Sequence, residues 1–481
     1  MKVKIKQYWN NFRIITSLTG FITAVYCLIY GIPNFPEVWG YFLIPMCYGV
    51  FQALGKKAFK RNSGIAFVII QIIMFFRYVI TPVITCSIHD QSRLFLYADS
   101  REHLGFAIFL ILYEMSAVYL ALYFIVPRFM GINLSRTKQE VYTNFCKNKA
   151  EGKIGIIQIF IVAFWFFIIA RSPECRSYLF RFTNINVQTI SQQEYQSQIS
   201  GTYLVFYYIG LIVIYSLIIS IIQKRKMLFK WNPIRLISII LVSVFFISST
   251  WSNGESVSRW ALMIGAIVMM YILVQNFPDS AKIIFVFGIL VMVVLLLVGS
   301  FAKTFVLGKG LTFNESVQSY ISVRYINEYF SGIFPVANGI SVAQHIEGNP
   351  IFVVLYDLFA NVPFFLSKLN LNAASTLVQF RHLTGRNDLI MPTITSGYAV
   401  FTVVFAHIYS VLMVCLAFKA EEKLKESSDI LIQVFLLYIV YWCSLFMAVN
   451  INIIQSACWK YVIGLILISL DKRVIRKVRL R

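Results

Sequence analysis

Gly64-Ile-Ala-Phe-Val-Ile-Ile-Gln-Ile-Ile-Met-Phe-Phe-Arg77-Tyr-Val-Ile-Thr-Pro82-Val-Ile-Thr-Cys86 carries apolar side chains one after another, without the alternation that marks a half-buried strand. A hydrocarbon core of roughly 30 Å takes about 20 helical residues to cross, and this run is long enough. In lipid the backbone must satisfy its own hydrogen bonds, so continuously apolar segments span as helices and not as barrel strands. Eleven more stretches match it or nearly so, and the predicted spans are 14–31, 37–54, 64–86, 104–126, 154–170, 202–222, 234–250, 257–276, 283–301, 397–418, 429–449 and 456–470. Hydrophobic residues are 58% of the 481 and charged ones 13%, too few to clothe a soluble globule of this length. The expected fold is all-α, a polytopic transmembrane helix bundle of about 12 spans.

Basic residues near the ends of spans resist translocation, so their distribution gives the orientation. With the N-terminus in the cytoplasm, the inner segments hold 29 of the 43 Lys and Arg, which puts both termini inside. The net charge of +22 therefore reports topology and contact with anionic lipid heads. The basic residues are spread over many loops instead of forming one face, which argues against a nucleic-acid partner. Met1-Lys-Val-Lys-Ile-Lys and the apolar run after it lack a small-residue cleavage site, so the first helix is read as retained. The eight cysteines show no CxxC spacing and read as packing residues, with Cys86 and Cys175 both near the outer face as a conceivable pair.

One block departs from this texture. Between spans 1–9 in residues 1–301 and spans 10–12 with the basic tail in residues 397–481, residues 302–396 form a large extracytoplasmic loop with amphipathic helices. Asn314 to Ile346 reads mostly as helix, with Asn314-Glu-Ser as its cap. Pro350 to Leu369 reads as a re-entrant or interfacial helix interrupted by Asp357, Asn361 and Pro363. Loops of this length between packed elements are usually functional. No repeat period stands out, against the matched broken helices of an inverted-repeat transporter.

The outer basic residues differ in kind from the inner ones. Nine of the 13 outside are Arg, including Arg259, Arg324, Arg381 and Arg386, against 10 of 29 inside. Arginine's planar fork matches phosphate oxygens bidentately where lysine acts as a point charge, so an outer face rich in Arg suggests a phosphate or pyrophosphate ligand. Ordinary salt bridges are the plainer account of any single one. Arg77 is the sharpest residue, because a charge at bilayer depth is expensive and faces either a cavity or a partner. Glu114 in the fourth span is the natural partner, and a structural Arg77–Glu114 lock stands beside ligand binding as a reading. Glu255, one turn before Arg259, permits a local ion pair in the same way. The histidines lack zinc spacing, and no Walker A, GxGxxG or GxSxG motif is present. No cofactor is indicated, and a transferase of this kind would take a donor activated by something other than a soluble nucleotide sugar.

Phe76-Arg-Tyr-Val-Ile-Thr-Pro82, Arg324-Tyr-Ile-Asn-Glu-Tyr-Phe-Ser-Gly332 and Gly385-Arg-Asn-Asp-Leu-Ile-Met-Pro392, with about a dozen spans and a late outer loop, resemble the Wzy-type polymerases of O-antigen and capsular polysaccharide. The resemblance implies a bacterial cytoplasmic (inner) membrane enzyme that joins undecaprenyl-pyrophosphate-linked oligosaccharide units on the outer face. Its implied partners are the lipid-linked oligosaccharide, membrane lipids and a chain-length regulator protein. Carried over, Arg77, Arg259, Arg324, Arg381 and Arg386 would hold pyrophosphate and stabilise the leaving group. Glu328, Asp388 or His382 would take the acceptor's proton. Tyr320, Tyr325, Tyr329 and Phe330 could stack on sugars. A flippase for lipid-linked oligosaccharides and an O-antigen ligase are the alternatives.

Overall fold

A computed structural model of the chain describes residues 2–31, 33, 36–56, 64–87, 99–129, 155–179, 201–224, 232–250, 259–277, 280–306, 323–360, 362, 373–386, 389–427 and 429–479. Apolar runs that close their own backbone hydrogen bonds give helices throughout, and no strand occurs among the described residues. In chain order these are α1 (Asn10–Gly31), α2 (Val38–Leu54), α3 (Ile65–Cys86), α4 (Leu104–Arg128), α5 (Ile156–Arg171) and α6 (Gly201–Lys224). There follow α7 (Asn232–Thr250), α8 (Arg259–Asn276), α9 (Ala281–Val306), α10 (Val323–Tyr329), α11 (Ile333–Ala343) and α12 (Pro350–Phe359). The last are α13 (Thr376–Thr384), α14 (Thr393–Phe405), α15 (Ile408–Glu426), α16 (Ile430–Ser444) and α17 (Ile451–Arg479).

The described parts of the twelve predicted intervals are mostly helical, but in 429–449 the helix stops at Ser444 and residues 445–449 turn. Among the described residues, α1, α3, α4, α6 and the Ile451–Asp471 part of α17 are long and apolar enough to cross a membrane, five helices, or six if the bent pair α14 and α15 is one span. That pair is a correction: the interval 397–418, read as one continuous span, is bent by 107° between Phe405 and Ile408. The bounds of the long block also shift. Helix α9 runs on to Val306 and α14 begins at Thr393, so both ends of residues 302–396 belong to helices. Asn314 lies outside the described residues, and Tyr325 to Ile346 is two helices instead of one. The break between α10 and α11 has Ser331 at φ 46 and the Gly332 amide bonded to the Asn327 carbonyl at 2.9 Å. Asp357 does not interrupt α12 but lies within it.

The chain divides into two compact units. Unit 1 is Met1–Val141, Ile321–Lys423 and Ile439–Cys458. Here α1 and α2 touch through small residues, since a Cβ on Gly20 would lie 2.9 Å from the Pro45 carbonyl oxygen, and Ser17 Oγ donates to the Gly49 carbonyl at 2.9 Å. Gln52 Nε2 donates to Gln71 Oε1 at 2.6 Å and to the Tyr119 hydroxyl at 2.8 Å, joining α2, α3 and α4 by buried polar bonds. All eleven residues of α11 are buried, and it packs on α4 and α14. A segment read as part of an outer loop is thus enclosed within the unit. Gly64 leaves room for the buried Glu421 carboxylate, which accepts from the Ile65 and Ala66 amides at 3.0 and 3.1 Å and so caps α3.

Unit 2 is Tyr142–Tyr320, Leu424–Tyr438 and Trp459–Arg481. It repeats that device: Asp471 sits against Gly155 and accepts from the Ile157 amide at 3.4 Å, at the start of α5. Gly210 of α6 seats the Trp165 ring, and Tyr215 of α6 packs on Phe246 of α7. On α9 Phe285, Val286, Leu290 and Val294 are exposed, an apolar surface suited to lipid. The described cysteines are free thiols, and Cys86 makes its thiol hydrogen bond with Cys27.

Candidate functional site

Three local irregularities of unit 1 converge on the start of α15. The first is the π-helical turn Phe76–Ile80, a single-turn distortion of the sort that recurs at functional sites. Arg77 lies in it, 3% exposed, with Nη1 2.7 Å from Oε2 of the fully buried Glu114. Ser410 Oγ donates to the other Glu114 oxygen at 2.5 Å. Nε and Nη2 of Arg77 are buried and have no hydrogen-bond partner among the described residues. The guanidinium carbon stands 5.6 Å from the centre of the Tyr78 ring. A buried guanidinium with two donors left over can still hydrogen-bond an anion, and because Glu114 already balances it that anion brings its own negative charge to this depth.

The second irregularity is the break between α14 and α15. Thr402 has φ 63 and ψ −175, a conformation that a β-branched residue adopts only under constraint. The chain folds back so closely that a Cβ on Gly397 would collide with the Ala406 carbonyl, which is why glycine stands there. His407 in the break meets the Tyr113 ring edge-on at 5.0 Å, and its Nδ1 is buried and without a hydrogen-bond partner among the described residues. The Tyr113 hydroxyl donates to the Val404 carbonyl at 2.5 Å.

The third is a carboxylate with no cation within ion-pair distance among the described residues. Asp357 of α12 is fully buried; its Oδ1 accepts from the Thr376 amide at 2.8 Å and the Thr376 hydroxyl at 3.0 Å. Its Oδ2 accepts from the Tyr409 hydroxyl at 3.0 Å and shares the Thr376 hydroxyl at 3.1 Å. Burial pushes the carboxyl up to about 7, against the donors of Thr376 and Tyr409, which act to lower it. Tyr409 and Ser410 are neighbours, so the Asp357 and Glu114 groups hang from consecutive residues of α15.

The sequence-predicted residues fall into two places. Arg77 and its partner Glu114 are brought together as expected. Arg381 and His382 lie in the last turn of α13, Arg381 half-buried and His382 exposed, and Arg386 is half-buried just past the helix. Helix α13 is held by a cluster of Val342, Ala343, Leu377, Phe380, Leu389 and Met391, at the end of α11 away from Gly332. At the Gly332 end, Gly332 approaches Thr81 of α3, so α11 stands between the Arg77 turn and the Arg381 turn. Its eleven residues give a length of about 16 Å, which sets the two turns at opposite ends of α11. Glu328 is half-buried on α10. Phe330 is no free stacking platform, because its ring stacks on Phe76 at 4.9 Å. Asp388, Tyr320, Glu255 and the side chains of Arg259, Arg324 and Tyr325 lie outside the described residues. Thr376, Tyr409 and Ser410 are members of the site that the sequence does not mark, and Asp357 stands out there as a helix interruption and as one of the carboxylates of the long block.

Comparison with protein-family models, with curated proteins and with solved structures finds no match to this chain.

Proposed function

We propose that the chain is a polysaccharide polymerase of the bacterial cytoplasmic membrane, with about twelve spans, both termini inside, and the 302–396 block facing outward. It would transfer a growing glycan from an undecaprenyl pyrophosphate to the hydroxyl of a second lipid-linked unit. The bond from the anomeric carbon to the diphosphate breaks, the bond to the acceptor oxygen forms, and the acceptor's proton passes to Glu328, Asp388 or His382. The observation that supports this reading best is Arg77: buried, paired with Glu114, and with two donors that have no hydrogen-bond partner among the described residues. Such donors suit a diphosphate oxygen whose charge grows as it leaves. Arg381 and Arg386, at the other end of α11 from the Arg77 turn, would serve the second lipid-linked unit, and Arg259 and Arg324 are further candidates for holding pyrophosphate. A chain-length regulator would be the protein partner.

Flippase activity is the second reading, favoured by the bent pair α14 and α15, since interrupted helices line the central sites of transporters. One experiment separates them. Cells lacking the chain are expected to accumulate single repeat units on carrier lipid at the outer face. Units trapped at the inner face assign a flippase, and undiminished polymer without accumulation removes both readings.

A further inference from the structure

A fully buried carboxylate needs a cation or a proton, and Asp357 has no cation within ion-pair distance among the described residues. The ionisable side chains on the elements around it are Tyr356 on α12, Arg381 and His382 at the far end of α13, Tyr398 on α14, and His407, Tyr409, Cys415, Lys419, Glu421, Glu422, Lys423, Lys425 and Glu426 in or beyond the break leading to α15. Of these only Tyr409 touches the carboxyl group. In the neutral acid no charge is buried and Oδ1 keeps both Thr376 donors, while a proton on Oδ2 takes the place of the hydrogen that the Tyr409 hydroxyl now donates there, so the same three groups stay joined. The ionised form must instead be held by dipoles alone, and burial then favours any arrangement that lets water reach it.

We propose that Asp357 is a positioning residue that regulates this site by taking up a proton: neutral, it clasps α12 to the first turn of α13 and to Tyr409; ionised, it loosens that clasp and with it the hold of the adjacent Ser410 on Glu114 beside Arg77. The proton comes from and returns to water, and no covalent bond between heavy atoms changes. Both basic places are reached from this one group, because Thr376 begins the helix that ends in Arg381 and Tyr409 precedes the residue that holds Glu114. A carboxyl pushed to about 7 by burial titrates across neutrality, where such a clasp would respond. The effect on glycan transfer rests on the polymerase reading; the effect on protonation does not.

The test uses full-length protein in lipid nanodiscs, with Asp357→Asn as an isosteric, permanently neutral side chain. Infrared difference spectra between pH 8 and pH 6 are expected to show a protonated-carboxyl band appearing in the wild type and missing in Asp357→Asn. In membranes, the ratio of chain elongation at pH 6 to that at pH 8 is expected to be about tenfold for the wild type, the ratio of neutral carboxyl for a group titrating near 7, and close to one for Asp357→Asn. Tyr409→Phe removes a donor that lowers the group, so its infrared titration should move to higher pH; it serves if Asp357→Asn does not fold. An unchanged band in Asp357→Asn, or an unmoved titration in Tyr409→Phe, overturns the clasp. If deletion cells make polymer normally, the polymerase reading fails while the infrared result still decides Asp357. If polymer requires the chain but Asp357→Asn keeps the wild-type pH ratio, the clasp alone fails.

Discussion

Glu114 and Asp357 are both fully buried and are held from consecutive residues of α15, Ser410 and Tyr409, yet their charges are answered differently. Glu114 has the Arg77 guanidinium at 2.7 Å; among the described residues Asp357 has only hydroxyl and amide dipoles. An ion pair fixes both members in their charged forms, whereas a set of dipoles leaves a proton as the stronger partner. The first arrangement is rigid in charge and the second responds to pH. Breaking the pair should have the largest effect. Arg77→Met strands the Glu114 charge and is expected to destabilise the protein by about 3–5 kcal/mol, measured by denaturant unfolding in mixed micelles. Arg77→Met combined with Glu114→Leu should recover most of that loss. Arg77→Lys keeps the charge without the planar fork, and should leave the protein folded but end polymer formation. A double variant no more stable than Arg77→Met would show that the two residues do not act as a pair.

On the Asp357 side the expected effect is a slope with pH. The group titrates near 3.8 in an unfolded chain and at about 7 in the folded one, so the folded state binds the proton more tightly. Its contribution to stability is complete below pH 3.8 and is lost as pH rises through 7, by up to about 4 kcal/mol for a shift of this size. Unfolding midpoints between pH 5 and 8 should fall with rising pH in the wild type and lose most of that slope in Asp357→Asn. An equal slope in both would assign the pH dependence to other groups and remove the contrast with Glu114.

The two carboxylates also differ in how far a reader of the sequence could see them. Arg77 and Glu114 are charges inside long apolar runs, and lone charges at bilayer depth demand a partner, so that pairing was legible. The partners of Asp357 are hydroxyls 19 and 52 residues away, and Thr and Tyr carry no periodicity that marks them as donors. The helical intervals were legible for the same reason as Arg77, since twenty apolar residues admit few other conformations in lipid. The bend at Thr402 was not: it falls on a β-branched residue, with no proline or paired glycines to announce it, and Gly397 explains it only once Ala406 is seen against it. Burial of α11 left a trace in its small residues Gly332, Gly339 and Ser341, which admit Thr81, Thr395 and Ser100, but long spacing between the partners hid it.

A finer probe takes away one donor at a time. Ser410→Ala removes a hydrogen bond to the charged Glu114 but leaves its cation, for an expected loss of about 2 kcal/mol in the same unfolding measurement. That loss should shrink as pH rises from 5 to 8, because ionised Asp357 loosens the hold of the adjacent Ser410 on Glu114; a loss that stays constant would show that Ser410 is not coupled to Asp357.

The smallest effect is expected at the bend itself, and with the opposite sign. Thr402 at φ 63 stores roughly 1–3 kcal/mol of backbone strain, and glycine occupies that conformation freely at an entropic cost of about 0.5–1 kcal/mol. Thr402→Gly should therefore raise stability by about 1 kcal/mol. The strain is tolerated because the short turn from Phe405 to Ile408 brings Tyr409 and Ser410 to their two carboxylates at once, and a relaxed turn no longer enforces that register. Glu114 keeps Arg77 whether or not Ser410 is in place, while Asp357 depends wholly on what α13 and α15 present to it. Thr402→Gly should accordingly shift the infrared titration of Asp357 and leave the penalty of Arg77→Met unchanged. Equal disturbance on both sides would mean that the bend, and not the chemistry of neutralisation, sets the two groups apart.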